Sequence, residues 1–240
     1  MNIKKMARLV CLTLLLIIPL SMLTPLQVHA TTNRRITSIS TGKATTVIVN
    51  SVEQSDSKII DEVPLMNQND YPNDWYGYSG TVATHGCGIT SVAMIASYLT
   101  DTFYSPAILA KQFGKYNGSG GSAWELFEDS ARTFGIPIPI CTTDWDEVGN
   151  ALENGHIVIS LQNSGMFTTG AHYIVLTGVN KDGKITVNDP FGTNWNASEI
   201  LKNGFTNGFT DEQIKIGGWT YWIYPTKEAV VLENGAKAID

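Results

Sequence analysis

Cysteine and histidine are scarce in this 240-residue chain, with three of the first and four of the second, so few residues can do nucleophilic chemistry. Cys87 stands in Gly86-Cys87-Gly88, immediately ahead of ITSVAMIASYL. Val92, Ile95, Ala96 and Leu99 recur there at helical spacing, which predicts a buried helix entered through a glycine-flanked turn. A thiol at that entry meets unpaired backbone N–H groups and the positive end of the helix dipole, both of which favour a thiolate. The same donors would hold the negative charge of a tetrahedral intermediate. The flanking glycines allow a strained approach and leave the thiol open. For this residue taken alone, nucleophilic attack by sulfur competes with two quieter roles, a disulfide to Cys141 and a buried thiol. No second cysteine stands at short spacing, so neither residue reads as part of a zinc or redox motif.

A thiol nucleophile needs a base. His85 is two residues from Cys87, a poor separation for a side chain that must face the thiol across a cleft, and it reads as a rim residue. His156 follows an Asn-Gly turn and precedes IVISL, which suggests an exposed position at a strand start. His172 opens HYIVLTGV after Gly170-Ala171. Its ring can stand at a cleft edge, held by a strand, either as a base or as a satisfied strand histidine. Lys181-Asp182-Gly183 predicts a tight hairpin turn. If 173–179 pair with 184–190 around it, Asp189 ends beside His172. A carboxylate accepting from one imidazole nitrogen fixes the tautomer in which the other takes the thiol proton. Asn188 competes for that place, because neighbouring strand residues face opposite sides and a slip of one exchanges them.

The elements that must position these groups follow from local pattern. Ser105-Pro106 caps and starts a second helix, PAILAKQF. Residues 123–134 read as a third helix and 144–154 as a fourth, with Val148 and Leu152 on its apolar side. IVISL (157–161), 172–179, 184–190 and TYWIYP (220–225) read as strands. Helices first and an antiparallel sheet afterwards indicate an α+β domain over residues 61–225. Residues 226–240 read as a peripheral tail. Residues 31–60 are rich in Thr and Ser with one β-prone patch at 45–50, and read as a flexible lead-in or pro-segment. IPIPI before Cys141 suggests an edge strand or extended segment. Tyr71, Trp75, Tyr76 and Tyr78 crowd the approach to Cys87, either as a cleft wall or as ordinary packing.

Residues 1–30 combine Lys4, Lys5 and Arg8 with the apolar run LVCLTLLLIIPLSMLTPL and then VHA, the order of a secretory signal peptide cut after Ala30. The competing reading is a retained membrane anchor, since the run approaches spanning length. Pro19, Pro25 and the polar TTNRR favour cleavage, which implies a secreted chain, extracellular or associated with the cell wall, with no stable membrane insertion afterwards. From residue 31 onward 13 basic residues face 22 acidic ones, a formal net charge of −9. This disfavours nucleic-acid binding, which relies on Lys and Arg neutralising phosphates.

Taken together, GCGITSVAMIASYL, GAHYIVLTGV, ITVNDPFG and Asn67-Gln68-Asn69-Asp70-Tyr71 resemble the C39-like peptidase family of the papain-like superfamily, over roughly residues 63–195 and more loosely on to Pro225. Ile89 stands where the family usually has proline. The resemblance implies a papain-like fold and a secreted cysteine peptidase, with Cys87 as nucleophile, His172 as base and Asp189 orienting the histidine. It also implies Gln68 as an oxyanion-hole donor, no metal or organic cofactor, and a peptide, isopeptide or cell-wall peptide as substrate. The alternatives are a secreted binding protein that keeps the fold without the activity and a cell-wall peptide amidase.

Overall fold

The computed structural model describes residues 62–192 and 198–237. The segments read above as signal peptide and lead-in lie outside the described residues. The chain enters through a 3₁₀ turn at Gln68–Asp70. A minimal hairpin follows, β1 (Trp75–Tyr76) paired with β2 (Gly80–Thr81). Then come α1 (Val82–His85) and α2 (Cys87–Thr100). Residues 106–112 form α3 (Pro106–Gln112), with Ser105 at the N-cap position and Pro106 opening the helix as expected, although the Ser105 hydroxyl makes no capping bond. A second minimal hairpin, β3 (Asn117–Gly118) with β4 (Gly121–Ser122), precedes α4 (Glu125–Thr133).

Helix α2 is buried on nearly every side, from Gly88 to Leu99. The apolar stripe read from Val92, Ile95, Ala96 and Leu99 is therefore only half of its packing surface, since Ala93 and Met94 on other faces are also 0% exposed. A helix that is apolar all round belongs inside a layered core. Two of its buried hydroxyls are hydrogen-bonded, Ser91 donating to the Cys87 carbonyl at 2.8 Å and Ser97 accepting the Tyr104 N–H at 2.9 Å, whereas the Thr90 hydroxyl has no partner among the described residues.

The second half contributes β5 (Ile140–Thr142), α5 (Trp145–Glu153), β6 (Ile157–Gln162), β7 (His172–Val179) and β8 (Ile185–Asn188). It continues with α6 (Glu199–Asn207), α7 (Asp211–Lys215) and β9 (Gly218–Tyr224). Five strands form one antiparallel sheet in the order β5-β9-β6-β7-β8. The α+β reading therefore holds. The order of layers is less simple than helices first and sheet afterwards. Ile159, Tyr173, Val175 and Trp222 face α2 and α4 in one core cluster. Val158, Ile174, Leu176 and Ile223 face Val148 and Leu152 of α5 and Ile214 of α7 in another. Helices thus cover both faces, which explains why IVISLQ is apolar almost without alternation.

The tail read as peripheral is a helix, α8 (Lys227–Lys237). Val230 is 1% exposed inside the first core cluster. Lys227 pairs with Asp101 at 2.6 Å, where α2 ends in a left-handed residue with φ 53°. Asp tolerates that conformation better than most side chains. Truncating Val230 to Ala removes about two buried methyl groups, so a loss of about 1–3 kcal/mol is expected. It would be read as a lower urea midpoint at unchanged slope. An unchanged midpoint would show that α8 is not docked. Among the described residues no helix is long and apolar enough to cross a membrane.

Candidate active site

Cys87 is the first residue of α2, and the local sequence dictates why. Helix α1 closes when the Gly86 N–H donates to the Val82 carbonyl at 2.7 Å, and α2 begins at once with Thr90 N–H donating to the Gly86 carbonyl at 2.8 Å. Gly86 has φ −89°, so it is not strained. Glycine is needed there because a Cβ would run into the Val82 carbonyl. Gly88 likewise packs closely, its hypothetical Cβ 2.5 Å from Ser122 Oγ. The glycines serve close approach, which corrects the expectation of a strained turn.

His172 opens β7 and is 7% exposed, and Asp189 is 5% exposed just beyond β8. Asp189 Oδ1 lies 2.7 Å from His172 Nε2 and also accepts the Phe191 N–H at 2.8 Å. The hydrogen bond between the His172 and Cys87 side chains therefore falls to Nδ1. The Phe191 ring stands edge-on to the imidazole, 6.0 Å between centroids at 86°.

The choice between Asn188 and Asp189 is decided by a β-bulge. Near the turn Gly178 pairs with Thr186 and Val179 with Ile185, but beyond it Leu176 pairs with Val187 and Val175 with Asn188. Thr177 is the extra residue, and Gly178 takes φ 146°, a conformation that favours glycine. Without the bulge Asn188 would fall opposite Leu176, on the face of His172. With it Asp189 takes that face, and Asn188 turns away to donate to the Val63 carbonyl at 2.9 Å.

The electrostatics follow from this packing. Burial alone would push the Cys87 thiol up. The hydrogen bond and charge of His172, with the backbone N–H groups of Tyr173 and Gly88, outweigh it and hold the thiol below its ordinary pKa. Burial alone would lower His172, but its bonds to Asp189 and Cys87 and their charges lift it to about 10. Both shifts favour one state, a thiolate beside an imidazolium.

Gln68 is 2% exposed in the 3₁₀ turn. Its backbone N–H donates to the Pro190 carbonyl at 2.7 Å and its Nε2 to the Ala83 carbonyl at 2.8 Å. It is thereby strapped to the residue after Asp189 and to the helix before Cys87. One amide N–H is committed to Ala83 and one is left, while Oε1 has no partner among the described residues.

The other candidates sort differently. His85 Nδ1 bonds the Thr84 hydroxyl at 2.9 Å, a contact within its own helix at the rim. His156, read as exposed, is half-buried and donates Nδ1–H to the Tyr224 carbonyl at 2.7 Å, a structural bond between strand ends. Cys141 lies opposite Trp222 on edge strand β5, half-buried against the core and not bonded to Cys87. The aromatic cluster divides. Tyr76 is fully buried and Tyr71 half-buried, whereas Trp75 and Tyr78 are 66% and 97% exposed. Ser122, buried against Gly88 with its hydroxyl bonded to Tyr76, was not singled out by sequence reasoning, and its position in NGSGGS carries no local signal. Among the described residues no group of three His, Cys, Asp or Glu side chains is placed to hold a metal ion.

A family model described as Peptidase_C39 like family matches residues 60–212, a span that includes Gln68, Cys87, His172 and Asp189. No curated protein matches the chain.

Proposed function

The chain belongs to the C39-like peptidase family, and from that membership we propose that it is a secreted, papain-like cysteine peptidase hydrolysing peptide or isopeptide bonds. One observation carries the reading: His172 stands between the Cys87 thiol and the Asp189 carboxylate, with Nε2 2.7 Å from Oδ1. Asp189 holds the imidazole in the orientation that directs Nδ1 at sulfur and stabilises its positive charge. The thiolate attacks the amide carbonyl, forming the C–S bond as the carbonyl pair moves onto oxygen. The Cys87 backbone N–H and the second amide N–H of Gln68 receive that oxyanion. The imidazolium protonates the leaving nitrogen as the C–N bond breaks. The neutral imidazole then takes a proton from water, which attacks the thioester and releases the acid and the thiolate.

A peptide substrate is compatible with the aromatic surface that Trp75 and Tyr78 expose on the β1–β2 hairpin, ahead of Cys87 in sequence. Export as a mature protein beginning at Thr31 is part of the proposal, resting on the N-terminal charge and apolar pattern. The test uses the exported protein. Its mass should correspond to cleavage after Ala30, and a peptidyl epoxide should add one equivalent at Cys87. An unstructured peptide pool should gain new α-amines at a rate that falls in parallel with labelling. Labelling confined to Cys141, or labelling of Cys87 without any new amine from peptides, isopeptides or cell-wall peptides, would move the assignment to a binding protein.

A further inference from the structure

Behind the Cys87–His172 pair lies a buried polar cluster that the proposed chemistry does not use. Ser122 closes the β3–β4 hairpin and is 6% exposed. Its hydroxyl lies 2.9 Å from Tyr76 Oη, and its carbonyl accepts from Tyr173 Oη at 3.1 Å. Tyr76 is 0% exposed and Tyr173 6%. The Tyr76 carbonyl in turn accepts Asn117 Nδ2 from the same hairpin, so the two hairpins are tied at both ends of this tyrosine. On its other side Ser122 abuts the start of α2. A Cβ at residue 88 would lie 2.5 Å from Ser122 Oγ and 3.2 Å from the Tyr173 ring. Gly88 and Tyr173 are the two residues whose backbone N–H groups are directed at the Cys87 sulfur.

We infer that Ser122 is a positioning residue which, wedged against Gly88 and tied to Tyr76 and Tyr173, holds both of those backbone N–H groups on the Cys87 sulfur. The inference deepens, and rests on, the reading of Cys87 as nucleophile. Its physical basis is that the two donors belong to different elements, the first turn of α2 and the start of β7. Nothing covalent keeps them in step, while the strength of each bond to sulfur falls quickly with misalignment. Ser122 touches both elements. Its hydroxyl and that of Tyr76 are both buried, so leaving either unpaired is costly and their bond holds one geometry. Burial raises both phenols well above an ordinary tyrosine, so they remain neutral and do not compete with sulfur for the imidazolium.

The experiment measures alkylation of Cys87 by iodoacetamide against pH, with Cys87 and Cys141 resolved by peptide mass, in the full exported protein. Ser122→Ala and Tyr76→Phe are each expected to move the Cys87 midpoint upward by roughly half a unit or more, about threefold slower labelling on the acid side. The double variant should match the singles, because all three break one hydrogen bond. Should Ser122→Ala fail to fold, Tyr76→Phe keeps its ring and decides the matter alone. Midpoints unchanged from wild type in folded variants would overturn the inference while leaving Cys87 as nucleophile. A wild-type midpoint no lower than that of an ordinary thiol would overturn both.

Discussion

On the proposed mechanism, peptide hydrolysis is expected to fall by about 10³-fold or more when Cys87 is replaced by alanine, with the fold surviving the change. The reason for the first half is chemical. Without sulfur no acyl intermediate forms, and the remaining N–H donors can stabilise only a direct attack by water. The reason for the second half is structural. Cys87 is half-buried at the first position of α2, where alanine is an excellent helix former and the Thr90–Gly86 bond that starts the helix does not involve its side chain. Melting should therefore shift little. Cys141→Ala is the matched control. It removes a half-buried side chain from edge strand β5, opposite Trp222, and is expected to leave hydrolysis intact. Measured turnover on one peptide for the three proteins settles the point. Retained activity in Cys87→Ala, or equal loss in Cys141→Ala, would remove the assignment.

The second large effect is on the pH dependence of the thiol. In the wild type, Cys87 is held below an ordinary thiol by His172 first and by two backbone donors after it, against burial. Removing the imidazole in His172→Ala leaves burial as the dominant influence, so the labelling midpoint should rise past that of an unperturbed cysteine. An ordinary thiol is under about 1% ionised at pH 6. Labelling of Cys87 at that pH is therefore expected to drop by at least tenfold. Asp189→Ala should move the midpoint in the same direction by less, because the imidazole remains but loses the carboxylate that lifts it. For activity the sign runs both ways. The productive pair is lost as pH falls and sulfur takes a proton, and lost again as pH rises past about 10 and His172 gives its proton up. The apparent values belong to the coupled pair. A His172→Ala protein whose Cys87 still labels rapidly at pH 6 would show that something other than the imidazole ionises the thiol.

Much of the scaffold was legible from local pattern because local physics sets it. The helix after Cys87, the fourth helix with Asp144 as its cap accepting the Asp146 N–H at 2.9 Å, and the turn at 181–183 all depend on neighbours in sequence. In that turn Asn180 Oδ1 accepts from Asp182 and Lys184, both at 3.0 Å, and Gly183 takes φ 71°. Such Asx and glycine chemistry reads directly from residue type. Helices α6 and α7 were not anticipated. Each is short, and α6 has only Gly204 buried, set against the Phe209 ring. Helix α8 reads as a tail in the sequence because, over residues 227–232, Val230 alone is buried and leaves no periodic stripe to read.

By itself, then, the sequence determined that a cysteine opens a buried helix, that a histidine opens a strand, and that an Asn-Asp pair follows one hairpin later. Three things were decided only in the folded chain. Strand β9, the last in sequence, inserts between β5 and β6, a pairing set by two-sided burial of the sheet and not by any nearby residue. Ser122, in a loop of glycines and serines, acquires meaning only where it meets Gly88 and the two tyrosines. And the partner of His172 hangs on one extra residue, Thr177. Side chains alternate with period two, so a single bulge exchanges every residue beyond it between faces. Whether a strand bulges depends on how β7 packs against β6, β8 and the helices on both sides, and that information is not local. Asp189 reaches the imidazole, and Asn188 the Val63 carbonyl, because the core on each face places them there.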